Sequence, residues 1–204
     1  MIAGYHLIWT VYGRWLPNDP RGSTSHEIRA AAIAALGEIH YGRKRVQPAG
    51  RVIREFRDAA RGVLEHPLLD LSSAEIEIVG RACGEVIDTR SYTCYACAVL
   101  PDHVHLLIRK HRDRAETMIA GLQDANRTAV QGRGSYTTDH PVWGGLGWKV
   151  YLESRDDMQR TVAYIHRNLV HSRQSGQSWP FVRPYDGWLP GQVRVVAPRG
   201  KRHV

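Results

Sequence analysis

Two histidines separated by one residue, His103 and His105, have the side-chain type and spacing that a metal site requires. They open the apolar run 103–109 (HVHLLIR), which is typical of a β-strand. Side chains alternate between the two faces of a strand, so both imidazoles should point the same way. They could then approach one divalent cation, which would still need a third protein ligand. The spacing is equally compatible with two ordinary, half-buried histidines.

A tyrosine and an asparagine, Tyr164 and Asn168, form the second group with chemical potential. Four residues apart on a predicted helix, they share one edge, beside the apolar stripe. From there the phenol could reach a site between helix and sheet, and the neutral amide oxygen suits a hard ion such as Mg²⁺ or Mn²⁺. Taken alone, the helix is also compatible with a packing tyrosine whose hydroxyl lies in water.

Together these side chains could cleave and rejoin a phosphodiester. The metal would polarise the scissile phosphate, and the Tyr164 oxygen would attack phosphorus and release a 3′-hydroxyl. The product is a covalent 5′-phosphotyrosine link. Such a link conserves the phosphodiester energy, so a second strand end could be joined without ATP.

The elements that must position these groups follow from hydrophobic periodicity. Ser72 and Glu75 form a capping-box signature before a predicted helix. Pro101 and Asp102 make a tight connection between two strands, which predicts a hairpin. The predicted elements are strand 4–12, helix 73–89, strands 91–100 and 103–109, helix 113–130, a short strand 148–152, and a helix that starts near Asp156–Asp157 and carries Tyr164.

This order of elements favours an α+β fold with a largely antiparallel sheet, of which the split β-α-β arrangement is one layout. One or two short helices are expected in residues 26–66. We expect one domain over 1–190 with an insert at about 23–70, followed by a basic C-terminal tail at 191–204.

The charge balance points to a polyanionic partner. Lysine and arginine total 28 against 20 acidic residues, a net charge of +8, and nucleic acid is the commonest partner of such a protein. The predicted DNA-binding residues are Arg14, Trp15, Arg21, Arg109, Lys110, Arg127, Arg167 and Arg173. Tryptophans could stack on unpaired bases, although at least half should be core residues; the candidates are Trp15, Trp143, Trp148, Trp179 and Trp188. The tail contributes Arg194, Arg199, Lys201 and Arg202.

Three cysteines do not make a disulfide framework. Cys94 and Cys97 lie three apart on a predicted strand and should face opposite sides, which argues against a shared zinc ion. The N-terminus lacks the features of a signal peptide, and no stretch approaches the roughly 18 apolar residues of a membrane span. These features predict a cytoplasmic protein.

Beyond these individual signals, four stretches of the chain resemble the single-tyrosine HUH transposases, named for two histidines around a hydrophobic residue. The resemblance is closer to the REP-associated tyrosine transposases and their insertion-sequence relatives, and it covers most of 1–22 and 90–190. The stretches are YHLIWTVYGRWLPNDPRG at 5–22, AVLPDHVHLLIR at 98–109, GLGWKVYLES at 145–154 and AYIHRNLV at 163–170.

The resemblance implies a ferredoxin-like sheet flanked by helices and a protein that cleaves and rejoins single-stranded DNA at or near hairpins. It implies that His103, His105 and Asn168 hold the metal and that Tyr164 is the nucleophile. In that family the protein acts as a monomer or as a homodimer, and the tyrosine helix can serve its own or the partner's metal site. The insert at 23–70 has no counterpart in the resemblance.

Two other functions remain compatible with the residues. A regulator could bind hairpin DNA without cleaving it. A metal-dependent phosphodiester hydrolase could use an activated water, with Tyr164 incidental.

Overall fold

One antiparallel sheet lies at the centre of the protein. The computed structural model describes residues 1–191 except 24, 29, 43, 135 and 175, and in this part of the chain the sheet has four strands. The strands are β1 (Gly4–Thr10), β2 (Cys94–Val99), β3 (His103–Arg109) and β4 (Trp148–Leu152). Their spatial order is β2-β3-β1-β4, so the first strand in sequence lies in the middle of the sheet, next to the strand that begins with His103.

Helices cover both faces of the sheet. Among the described residues they are α1 (Ala31–Ala34), α2 (Gly50–Arg61), α3 (Ser73–Thr89), α4 (Ala115–Gln131) and α5 (Arg155–His171). Helices α3 and α4 pack against each other on one face, while α5 contacts β2 and β3 from the other. This two-sided arrangement confirms the predicted α+β fold with an antiparallel sheet flanked by helices.

Strand alternation divides the interior into two cores. Leu7, Trp9, Val104 and Leu106 belong to the core shared with α3 and α4. On the opposite face Leu107 packs with residues of α5 such as Ile165. His103 and His105 alternate with Val104 and Leu106 along β3, so they point towards the face that α5 covers.

Two helix starts carry the local signals that define them. Ser72 caps α3 in a complete capping box with Glu75, as the sequence predicts. Ser154 forms the equivalent box with Asp157 at the start of α5. Strand β2 begins at Cys94 rather than at residue 91, because Ser91 adopts a positive φ of 56° that extended backbone does not allow.

The segment between β1 and α3 packs onto the sheet domain. It contains α1 and α2, in agreement with the one or two short helices expected there. Leu69 and Leu71 enter the first core, and Arg14 forms an ion pair with Asp70 across the segment. The described part of the chain contains no helix long and apolar enough to cross a membrane.

The two cysteines of β2 face the same side, which corrects the sequence-based expectation. The pairing of β2 with β3 shifts register between Cys94 and Ala96, and such a bulge adds one residue to the alternation. Cys94 and Cys97 therefore both lie in the core under α3 and α4, with Cys83. Burial raises the pKa of Cys83 to about 12 and also raises that of the other two, so the thiols stay protonated and act as apolar core residues.

Gly80→Ala is expected to destabilise the fold, because a Cβ at Gly80 would overlap the Trp179 ring that packs on α3. Overpacking of this kind costs about 1–3 kcal/mol, which lowers the melting temperature by several degrees for a chain of this size. Thermal denaturation followed by circular dichroism measures the change. Gly121→Ala on α4 is the matched control, because its Cβ would meet open space and should be neutral or stabilising. Equal melting temperatures for the two variants would contradict the packing argument.

Candidate metal and tyrosine site

Three histidines and one tyrosine meet on the α5 face of the sheet. His103 and His105 come from β3, His6 from β1 and Tyr164 from α5. The ring centroids of His103 and His105 are 4.7 Å apart, and those of His6 and His105 are 5.0 Å apart. The Tyr164 ring lies edge-on to both inner histidines, with centroids 5.6 Å from His105 and 5.9 Å from His6. Residues distant in sequence thus form one cluster within a single chain.

In both histidines of β3 the Nδ1 atom has a hydrogen-bonding partner. Among the described residues no hydrogen bond uses the Nε2 atom of either ring. His103 Nδ1 lies 2.6 Å from an oxygen of Asp102, and His105 Nδ1 lies 3.0 Å from His6 Nε2. His105 Nε2 is buried and has no hydrogen-bond partner in the described part of the chain. A buried polar atom without a partner costs about 1–3 kcal/mol, and a bound ion is one of the standard explanations for such an atom.

Two histidines of the cluster, His6 and His105, are neutral at physiological pH. Burial lowers the pKa of His6 to about 4, and burial together with the neighbouring His103 and His6 lowers the pKa of His105 well below its usual value. Burial raises the pKa of Asp102, but the hydrogen bond to His103 and the charges of His103 and Arg14 together outweigh burial, so the pKa is lowered. Neutral imidazole is the form that binds a metal ion, so proton release at these histidines need not precede binding.

The stability of the metal-free protein should fall as the pH drops from 6.5 to 4. In the unfolded chain His6 takes up a proton near its ordinary pKa, whereas in the fold it does so only near pH 4. The unfolded state therefore binds more protons in this window, which costs roughly 3 kcal/mol of folding free energy. Urea denaturation between pH 6.5 and 4, with chelator present, measures this loss. The free energy of unfolding of wild type should fall by about 3 kcal/mol more than that of His6→Gln. An equal fall in the free energy of unfolding of the two proteins would contradict the predicted contribution of His6.

Asn168 lies one turn after Tyr164 and is half-buried. Its amide nitrogen donates to the Tyr164 carbonyl at 3.0 Å, and none of the hydrogen bonds in the described part of the chain uses its side-chain oxygen. No set of three or more His, Cys, Asp and Glu side chains in that part of the chain is arranged to hold a metal ion. A third protein ligand for a cation at His103 and His105 would therefore have to be of another type, and an amide oxygen meets that requirement.

Two of the predicted DNA-binding residues, Trp15 and Arg21, lie beside the cluster. The Trp15 ring centroid is 5.6 Å from that of His103, and the Arg21 guanidinium lies 3.9 Å above the Trp15 ring. The Arg21 guanidinium donates two hydrogen bonds to the Asp19 carboxylate, which fixes its position. Trp15 itself adopts a positive φ of 52°, a conformation that costs energy in a bulky residue.

The other predicted DNA-binding residues are more dispersed. Arg109 and Lys110 are at the far end of β3, about 13 Å from His105 along the strand, and the Arg109 guanidinium lies 3.5 Å above the Trp188 ring. Arg127 lies on α4, on the opposite face of the sheet, paired with Asp124. Arg14 is buried and paired with Asp70. Arg167 is exposed on α5 and Arg173 follows that helix.

The tryptophans divide between the core and the surface. Trp179 is buried against α3, and Trp143 packs edge-on against the buried Trp9. Trp148 is exposed, while Trp15 and Trp188 are half-buried beneath arginines. The predicted tail residues Arg194, Arg199, Lys201 and Arg202 lie outside the described residues.

His6 is the member of the cluster that the sequence motifs do not predict. Its signal is a polar residue within an otherwise apolar strand, GYHLIWT. Register places Ile8 opposite His105 and His6 opposite Leu107, which makes His6 a diagonal neighbour of His105 on the same face. The pairing of β1 with β3 is what reveals this contact.

Two solved structures illustrate what this chain is similar to. One is a REP-associated tyrosine transposase bound to a REP hairpin, with 14% sequence identity, coverage of 88% of this chain and 74% of that chain, and a TM-score of 0.47. The other is a protein from Deinococcus radiodurans assigned as a transposase, with 14% identity, coverage of 82% and 91%, and a TM-score of 0.40. No family model and no curated protein matches the sequence. Because identity and TM-scores are low, the functional assignment must rest on the geometry of the site itself.

Proposed function

We propose that this protein is a transposase-type endonuclease and strand transferase that acts on single-stranded DNA at hairpin-forming sequences. The observation that carries the proposal is the position of Tyr164, whose ring lies 5.6 Å from that of His105. The Nε2 atom of the same imidazole is buried and has no hydrogen-bond partner among the described residues. A phenol packed against an imidazole that is able to bind a cation suits covalent phosphoryl transfer.

The residues of the cluster fit a divalent cation. In the proposal His103 and His105 offer their Nε2 atoms and Asn168 offers its side-chain oxygen, a donor set of nitrogen and neutral oxygen that suits Mg²⁺ or Mn²⁺. When bound, such an ion withdraws charge from the oxygens of the scissile phosphate. The protein's part is to hold these ligands in a fixed orientation on the α5 face of the sheet.

Tyr164 performs the covalent step. Its oxygen forms a bond to phosphorus while the bond from phosphorus to the 3′-oxygen breaks, and the phenol proton is lost as the leaving oxygen gains one. The products are a 5′-phosphotyrosine and a free 3′-hydroxyl. Attack by the 3′-hydroxyl of another strand end reverses these steps, restores the phenol and joins the two ends. No external energy source is needed, because the number of phosphodiester-type bonds is conserved.

The DNA strand would approach along the open side of the cluster. Trp15 is placed to stack on an unpaired base next to His103. The exposed Arg167 adds positive charge for the phosphates, while Arg21, paired with Asp19, supports the Trp15 ring. A half-exposed Tyr164, at 36% of its accessible surface, leaves room for the substrate to reach the hydroxyl.

The proposal is tested by a cleavage assay on single-stranded oligonucleotides taken from the DNA that flanks the gene and is able to form hairpins. Wild-type protein with Mg²⁺ or Mn²⁺ should yield a protein–DNA adduct that survives a denaturing gel, together with a fragment that ends in a 3′-hydroxyl. Cleavage products without any adduct at early times would count against a tyrosine nucleophile.

A further inference from the structure

We propose that His6 is a positioning residue for the metal site. Its Nε2 accepts the Nδ1 proton of His105 and thereby fixes the tautomer that leaves His105 Nε2 free to bind the cation. The inference rests on the proposed function for the existence of that cation, and it adds a residue that the His-x-His pattern does not contain.

The tautomer follows from the contact between the two rings. His6 and His105 are both buried, and the nitrogens that face each other are 3.0 Å apart. A neutral imidazole has one donor and one acceptor nitrogen, so one ring donates to the other. If His6 donated, His105 would carry its proton on Nε2, where no described acceptor is present. If His105 donates, the atom left over is a lone pair, which a cation can use.

Asp102 plays the same part for the neighbouring ligand. Its carboxylate accepts from His103 Nδ1 at 2.6 Å, which leaves His103 Nε2 on the other side of that ring. Hydrogen bonds to the second ring nitrogen are the usual means by which proteins orient metal-binding histidines. His103 and His105 therefore present the same nitrogen through two different acceptors.

Burial explains why the two acceptors differ. Asp102 is at the end of the hairpin connection, where its carboxylate keeps partial contact with water. His6 is only 7% exposed and lies in the middle of β1. A carboxylate at that depth would pay a large desolvation cost, whereas a neutral imidazole accepts the same hydrogen bond without carrying charge.

The same contact argues against His6 as a direct ligand. Its Nε2 faces His105 Nδ1, and the two nitrogens of an imidazole point away from each other around the ring. A cation at His105 Nε2 would lie on the far side of His105 from His6 Nε2. The role open to this nitrogen is therefore to hold His105 in place.

The first test uses the unmodified protein and needs neither metal nor DNA. Long-range ¹⁵N–¹H correlation spectra of uniformly labelled protein near neutral pH distinguish the two histidine tautomers. We expect His105, assigned by its absence in His105→Ala, to carry its proton on Nδ1. A His105 protonated on Nε2 would overturn the proposal, whatever the enzyme does.

The second test is Mn²⁺ titration calorimetry without DNA. His6→Leu should weaken Mn²⁺ binding by about 10–100-fold, the usual effect of losing such a partner. His6→Gln keeps an acceptor oxygen near the position of Nε2 and should retain most of the affinity. His171→Ala, at the exposed end of α5, is the control and should bind as wild type does. Wild-type affinity in His6→Leu, or an equal loss in His6→Gln, would overturn the positioning role.

These outcomes are separable from those of the proposed function. A protein that shows the expected tautomer and Mn²⁺ pattern but never forms a DNA adduct keeps the His6 role and loses the transposase proposal. A protein that forms adducts while His6→Leu binds Mn²⁺ normally keeps the transposase proposal and loses the His6 role.

Discussion

Tyr164→Phe is expected to abolish covalent protein–DNA adducts and to lower cleavage by at least about a thousandfold, the scale of removing a catalytic nucleophile. Hairpin binding should be largely unchanged, because phenylalanine keeps the ring that packs edge-on against His6 and His105. The substitution removes one oxygen from a half-exposed side chain, so the fold should be unaffected. Adducts are read on a denaturing gel, and binding by fluorescence anisotropy on the same oligonucleotides.

Tyr151→Phe is the matched control for this substitution. Tyr151 is also an exposed tyrosine, at 47%, but it lies on β4 against Tyr5 and away from the histidines. It should form adducts at the wild-type rate. Adducts formed by Tyr164→Phe would eliminate Tyr164 as the nucleophile.

Two results with wild type would favour the alternative functions. Multiple turnover without an adduct points to hydrolysis by activated water, and hairpin binding without cleavage points to a regulator.

His105→Ala is expected to produce the second large effect. This side chain is 3% exposed and carries the unpartnered Nε2, so its loss removes the most buried of the proposed ligands. If a bound ion lowers the barrier by several kcal/mol, adduct formation should fall by about a hundredfold or more. Mn²⁺ affinity measured by calorimetry should fall in parallel, while His171→Ala should retain both properties.

Chelation gives an independent check on the same assignment. EDTA should reduce wild-type adduct formation to the level of His105→Ala and should have little further effect on the variant, because both changes remove the same interaction. Circular dichroism shows whether the variant is folded. Adduct formation that persists in wild type with EDTA, or a folded His105→Ala with full activity, would show that the reaction needs no cation at this position.

Local sequence signals determine most of the secondary structure. The capping boxes at Ser72 and Ser154 and the apolar stripe of α5 act over a few residues, which is the range in which pattern and propensity decide. The α+β order and the hairpin through Asp102 follow from the same kind of information. The roles of His103, His105, Tyr164 and Asn168 remain predictions that the experiments above address.

Errors arose where a non-local contact or a backbone irregularity intervened. The bulge near Ala96 reversed the expected alternation and placed Cys94 and Cys97 in one core. The ion pair between Arg14, a predicted DNA-binding residue, and Asp70, far away in sequence, was not foreseen either. Neither feature has a recognisable signature in the residues around it, because each depends on how a strand or loop meets its neighbour.

By itself the sequence determined which side chains share a strand face or a helix edge, since alternation along β3 and the turn of α5 are local geometry. The tertiary structure alone decided that the two groups meet, and that His6, 99 residues before His105, lies against it. The strand order decides this, because placing β1 beside β3 and packing α5 on β2 and β3 are choices that local periodicity leaves open.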